Sequence, residues 1–441
     1  MLKSLRSIIF PPLIIWFLSR LLIVLVAMII VPIAAQNQTV AQLILPGISI
    51  PIDPPYDQYG WWDRFFAWDS IWYYRIVHSG YEYADDTRQH SVAFFPLYPL
   101  LTWLGMRIGF SFPIAALLVN NLAFLAALIV LYHWVQERYN SKIAWWAIAF
   151  MAWCPYSLYC TVIYTEGLFL LLTTASLRAF DRCNYIATAI FGSLATATRI
   201  TGVALIPAMF ITSFRQKRPP KAYLAAIFTG MGLVTYCIYQ YILFREPLAF
   251  LRAQRGWRTS AGFAWQGWRF MFQQVFLGVD NLASGNLQNI VHPLLMLIIF
   301  FACILLWCIR SRINSHLLTY TFAVIWMVTW VLTRNPFPGS IFTRDPSVKL
   351  TLIFGGLIVL LITRPRLPMI AFAYAMFSYA IILNTGLTAS VERYVYGIAT
   401  IPVAFSLLLV RTPRGGYFVL GFCGLLLTIF TVQFALNQWL A

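Results

Sequence analysis

A carboxylate set among aromatic rings is the most chemically suggestive feature of this chain. Residues 61–81 read WWDRFFAWDSIWYYRIVHSGY. Helical spacing, about 100° per residue, gathers Trp61, Trp72, Phe65, Ile76, Trp62, Tyr73, Phe66 and Val77 on one arc. The opposite arc takes Asp63, Arg64, Ser70, Tyr74, Arg75 and His78. Asp69 falls in the middle of the aromatic arc, where an ionised side chain is costly unless it is paired, protonated or put to use. Two readings follow. Either Asp69 caps or salt-bridges the helix, through Arg64 or Arg75, or it is a general base in a water-poor pocket.

Further polar groups stand out against apolar surroundings. TVIYTEGLF carries Tyr164 and Glu166, ATATRITG carries Arg199, and TASVERYVYG carries Glu392 and Arg393. Glu166 and Arg199 suit either an ion pair across a helix interface or contact with a substrate. Arg393, beside Tyr394 at a helix mouth, suits a phosphate. His90 and Arg75 are further candidate ligands, although Arg75 on the polar face also suits a solvated or salt-bridged role. The stretch 244–289 interleaves Arg252, Arg255, Arg258 and Arg269 with Trp257, Trp265 and Trp268. Such a mixture fits a lipid headgroup interface, and a plain aromatic belt explains the tryptophans as well. No helical H-x-x-x-H accompanies His78, Glu82 and His90, and the seven cysteines form no C-x-x-C pair, so no metal, cofactor or disulfide framework is expected.

The elements that must position these groups are membrane helices. With 61% hydrophobic and 10% charged residues, 441 residues cannot form a soluble globule. The first apolar run, to about residue 35, is too long for a secretory h-region and predicts an uncleaved span. Within it, Arg20 either snorkels, pairs inside the bundle or meets a lipid phosphate. Hydropathy predicts an all-α integral membrane protein, one polytopic domain over residues 1–441 with about thirteen spans. A first extracytoplasmic loop covers 36–112, with interfacial helices at about 61–79 and 92–110, the second interrupted by Pro96 and Pro99. A second large loop covers 244–289.

Charge orients these spans. With the N-terminus inside, 16 of the 31 basic residues flank the inner ends, among them Arg138, Arg178, Lys217 and Arg364, with only Glu137 and Asp181 for company. That satisfies the positive-inside rule. The net charge of +17 is therefore mostly topological, and no nucleic-acid partner is implied. The outer face collects the reactive polarity. One carboxylate in a dry site with convergent arginines fits removal of a proton from an acceptor hydroxyl, which then displaces a lipid-linked phosphate from the anomeric carbon of a sugar. Phosphate leaves readily, so the second carboxylate of a glycosidase is unnecessary, and a single displacement inverts the centre. A transporter or flippase of a lipid-linked sugar is the alternative. It would be expected to bury ionisable groups at midplane in repeated halves, a pattern absent from this sequence.

Trp68-Asp69-Ser70, then Gly80-Tyr81 and Phe94-Phe95-Pro96-Leu97-Tyr98-Pro99, resemble the PIG-V family. These are the second mannosyltransferase of GPI-anchor assembly and its bacterial relatives, within the GT-C membrane glycosyltransferases. Tyr164-Thr165-Glu166, Arg199 with Gly202, and Arg393-Tyr394 match in order. The resemblance implies a GT-C-type bundle, a polyprenyl- or dolichyl-phosphate-mannose donor, an inverting transfer and no obligatory metal. Asp69 matches the aspartate taken as catalytic in that family. A glycan, glycolipid or protein would be the acceptor, in a bacterial inner membrane or the endoplasmic reticulum. Ile200-Thr201 departs from an expected Ser-Asn, and Gly167 from a frequent Ser, so a GPI intermediate does not follow as acceptor.

Overall fold

The computed structural model describes residues 2–36, 60–258, 260–335 and 342–440. Residues 37–59 of the expected first loop, including Asp53 and Asp57, lie outside the described residues. Those described are helical, with one isolated bridge between Gly262 and Thr385. Among the described residues, seven stretches, from Ile9–Ile33 to Pro413–Ala435, are long and apolar enough to cross a bilayer by themselves. The protein is a multi-pass integral membrane protein.

The spans differ in what they face. Val291–Cys308 is 6% buried and presents leucine, isoleucine and phenylalanine outward. Glu166–Asp181, by contrast, is buried almost all round. Two of its hydroxyls are satisfied by backbone carbonyls, Thr173 donating to Phe169 O at 2.8 Å and Ser176 to Thr188 O of the neighbouring helix at 3.0 Å, while Thr174 Oγ1 is buried without a partner among the described residues. Thr173 and Ser176 thus sit in a membrane helix with their donors met by protein carbonyls, because neighbouring protein rather than lipid surrounds them. Local sequence sets many ends. Pro113, Pro220, Pro346, Pro402 and Pro413 occupy first turns, where the missing N–H is harmless. Asn140 and Asn184 cap the helices that follow them by accepting from Ile143 N and Ala187 N.

Arg138, Arg178 and Arg182 gather around Glu137 and Asp181 at one end of this bundle. Arg178 holds Glu137 at 2.6 Å, and Tyr139 donates to Arg366 O at 2.6 Å. Phe112–Arg138 and Glu166–Asp181 both end there, while Phe112 and Glu166 mark the opposite end. Arg20 does not snorkel. Its guanidinium donates to Ser157 O and Thr161 Oγ1 at 2.7 Å, Ser157 Oγ at 2.8 Å and Ala152 O at 3.0 Å. It staples the first helix to the segment leading to Glu166.

At the polar end the structure corrects one expectation. Residues 61–79 do not form a single helix. A 3-10 turn covers Gly60–Phe65, the chain breaks over 66–69, and an α-helix runs Ser70–Ser79. Trp68 adopts φ +57°, a left-handed conformation that costs a bulky side chain about 1–2 kcal/mol. Cross-links to a distant segment outweigh helix propagation. Ser70 Oγ donates to Ile163 O at 3.0 Å, and Ile163 N donates to Phe65 O at 3.2 Å. Where a second interfacial helix is expected at about 92–110, an α-helix runs Leu97–Arg107; Pro96 precedes it and Pro99 falls in its first turn, where proline is tolerated.

Candidate active site

Asp69 is placed by the break rather than by a helical face. It stands immediately before Ser70–Ser79 but makes no side-chain cap. Its backbone N–H donates to Tyr164 Oη at 3.3 Å, and its Oδ2 accepts from Arg393 Nη1 at 2.7 Å. Neither Arg64 nor Arg75 is its partner. Of the two readings of Asp69, the one that pairs it with Arg64 or Arg75 does not hold, because its partner lies far along the chain.

Arg393 lies on the short helix Val391–Tyr396 and is the hub of the cluster. Besides Asp69, it reaches Glu166 Oε1 at 3.4 Å through Nε. Its guanidinium carbon sits 5.0 Å from the Tyr164 ring centroid, 5.4 Å from Tyr159 and 5.2 Å from Tyr394. Arg199 Nη1 donates to the same Glu166 oxygen at 2.6 Å and lies over Tyr394 at 4.9 Å. Two carboxylates and two guanidiniums, framed by rings, therefore form one network. Glu166 and Arg199 pair across helices, one of the two expectations for them, and both line the cavity.

The two carboxylates differ in accessibility. Glu166 is 1% exposed, whereas the Asp69 side chain is 20% exposed. Asp69 Oδ1 accepts no hydrogen bond among the described residues. A cavity of about 300 Å³ opens beside it, lined also by Tyr73, Phe94, Thr165, Arg258 and Asn384. That is at the small end of ligand pockets, roughly 300–1,000 Å³.

The segment 154–165 that presents Tyr164 and Glu166 is pinned from behind. Asn120 Nδ2 donates to Tyr159 O at 2.8 Å and Val162 O at 2.7 Å, while its Oδ1 accepts from Gly167 N at 2.8 Å. A Cβ on Gly167 would lie 2.4 Å from Asn120 O, so the residue after Glu166 must be glycine here. Lys349 Nζ holds Glu392 Oε2 at 2.8 Å, both side chains buried, one residue from Arg393.

His90 and Arg75, expected among the ligands, do not line this cavity. His90 Nε2 lies 2.7 Å from Asp86 Oδ1, an exposed contact that holds the Asp86 carboxyl below its ordinary range. Arg75 stacks over Trp72 at 5.2 Å on the exposed face of its helix. Both are close to the motif in sequence and turned away from it in space. Gln254 and Asn384 line the cavity without having been expected there, and Arg258, which also lines it, stood out in the sequence as one of the four arginines named in 244–289. Only the arginine-rich composition of 252–269 pointed toward any of them.

A family model described as mannosyltransferase (PIG-V) matches residues 11–244. No curated protein matches by sequence. Among solved structures, the Archaeoglobus fulgidus oligosaccharyltransferase in complex with zinc and sulfate superposes with TM-score 0.46 at 11% identity, over 97% of this chain and 53% of that one. AglB of the same organism, solved with an inhibitory peptide and a dolichol-phosphate, gives 0.45 at 14%, over 98% and 56%. ArnT from Cupriavidus metallidurans, bound to undecaprenyl phosphate, gives 0.37 at 12%, over 78% and 73%. The chain spans about half the length of the two oligosaccharyltransferase chains.

Proposed function

The chain belongs to the PIG-V mannosyltransferase family and is a membrane glycosyltransferase; from that premise we propose that it moves mannose, with inversion, from a polyprenyl- or dolichyl-phosphate donor to an acceptor hydroxyl. The reaction takes place at the extracytoplasmic or luminal end of a GT-C-type bundle, the fold that the PIG-V resemblance implies. One observation carries this reading. Asp69, with its side chain 20% exposed, is the carboxylate of the network that opens to the cavity, while Glu166 is 1% exposed, takes both arginines on Oε1 and keeps Oε2 buried without a hydrogen-bond partner among the described residues.

The division of labour follows. Arg393 holds Asp69 Oδ2, which fixes the carboxylate and leaves Oδ1 to accept the proton of the incoming hydroxyl. As that proton leaves, the acceptor oxygen forms a bond to the anomeric carbon on the face opposite the phosphate. The bond from that carbon to the phosphate oxygen breaks, and the electron pair departs with lipid phosphate. Glu166 fixes both Arg199 and Arg393, so its role is to position cations rather than to move protons. Tyr164 anchors the Asp69 backbone and supplies a ring face beneath Arg393.

Purified protein incubated with radiolabelled polyprenyl-phosphate-mannose and a panel of glycolipid, glycan and peptide acceptors tests the reading. Label transferred to one acceptor class, in the anomeric configuration opposite to the donor's, is the expected result. Transfer from a nucleotide sugar alone, or retained configuration, contradicts it.

A further inference from the structure

The three arginines lining the cavity are not equivalent. Arg199 is bound to Glu166 at 2.6 Å, and Arg393 to Asp69 at 2.7 Å and Glu166 at 3.4 Å. Within this group, two positive and two negative side chains cancel. Arg258 has no carboxylate partner among the described residues; one of its N–H groups donates to Thr385 O. A guanidinium carries five donors, so most of its fork remains available.

Its neighbours in the same loop are engaged elsewhere. Arg252 is held by Glu246 at 2.9 Å and Asp85 at 3.5 Å, and Arg255 lies 3.7 Å from Asp85. Arg258 is also not a loose surface side chain. Trp257, next to it, packs edge-on against Trp72 at 5.7 Å and Phe94 at 5.9 Å. That contact ties the loop to the Asp69 helix. Arg258 is half-buried, and burial pulls its pKa below the ordinary arginine value with no carboxylate to offset the loss. A partly desolvated cation without a counter-ion is a site in need of an anion.

We infer that Arg258 is the anion ligand of the cavity, and that the anion it takes is the singly charged phosphodiester joining a sugar to a lipid. The balance of charge limits the occupant. The cavity lining carries one uncompensated positive charge, which a phosphodiester monoanion neutralises. A diphosphate brings further negative charge beside Asp69 and gains no further cation. Arg393, already shared between two carboxylates, orients the base, and the departing phosphate is met by Arg258. This inference names the donor-phosphate ligand of the proposed transfer and rests on that reading.

Binding, read apart from turnover, tests it. Tryptophan fluorescence of the purified full chain in detergent is titrated with methyl farnesyl phosphate, farnesyl diphosphate, farnesol, inorganic phosphate and phosphatidylglycerol. Wild-type protein is expected to bind the diester at least as tightly as the diphosphate and well ahead of farnesol. Arg258→Gln keeps a donor for Thr385 O but removes the charge, and is expected to weaken diester binding by about tenfold or more, leaving farnesol unchanged. Arg258→Lys restores the charge and is expected to recover most of that loss. Undiminished diester binding in Arg258→Gln overturns the inference, as does a diphosphate bound about tenfold more tightly than the diester. Equal competition by inorganic phosphate or phosphatidylglycerol overturns its lipid-linked part. Wild-type protein that binds the diester yet transfers no sugar would count against the transferase reading and leave Arg258 as an anion ligand.

Discussion

Arg393 and Asp69 stand 324 positions apart in the chain and meet through a 2.7 Å ion pair at the wall of a small polar cavity. The same guanidinium reaches Glu166 through a different nitrogen, so one side chain sets the geometry of both carboxylates. A planar fork makes this possible, and an ammonium would not reproduce it.

Arg393→Lys is therefore expected to fold and insert normally but to lower kcat by about ten- to a hundredfold, the loss of a charge-assisted hydrogen bond. Donor KM should change less, because the uncompensated cation is Arg258. Stopped-flow or steady-state rates over a range of donor concentrations measure the split. A large rise in donor KM at unchanged kcat would return Arg393 to the role of phosphate ligand.

The Lys349–Glu392 pair is buried on both sides and lies next to Arg393. Removing one partner strands a charge, so Lys349→Met is expected to destabilise the protein by about 3–5 kcal/mol. Lys349→Met with Glu392→Leu replaces both charges and is expected to regain most of that stability. Thermal unfolding in detergent compares the two. Equal losses in the single and double variants would show that packing, not charge, governs this contact.

Much of the candidate site was legible in the sequence, and the gaps have physical causes. Asp69 stood out because a carboxylate among rings is costly. Tyr164, Glu166, Arg199 and Arg393 were each conspicuous as polar groups in apolar runs, and the structure brings all four to Asp69. The partner of Asp69 was not legible, because spacing compares only near neighbours and so offered Arg64 and Arg75. The break at Trp68 was hidden for the same reason: the bonds that enforce it come from Ile163. His90 and Arg75 illustrate the converse, proximity in sequence without proximity in space. The helices followed hydropathy, yet hydropathy does not separate lipid-facing spans such as Val291–Cys308 from short, protein-enclosed ones such as Glu166–Asp181. The departure at Gly167 acquires a cause only in three dimensions, where Asn120 occupies the space of its side chain.

Asp85 is exposed at the polar end of the bundle, beside Arg252 and Arg255. Asp85→Cys in a background without other accessible thiols is expected to react with a membrane-impermeant maleimide added outside intact cells, or to the luminal side of microsomes. Reaction solely after the cytoplasmic side is opened would invert the orientation and with it the proposed face of the reaction.

The central claim is that Asp69 Oδ1 removes the acceptor proton. Asp69→Asn keeps size and polarity and loses the base, so single-turnover transfer of labelled mannose from saturating polyprenyl-phosphate-mannose is the most direct measurement. A rate lower by about 10²- to 10⁴-fold, in protein that still binds the lipid-phosphate probe, is the result this account predicts. Transfer within about twofold of wild type, about 0.4 kcal/mol in barrier, would contradict it.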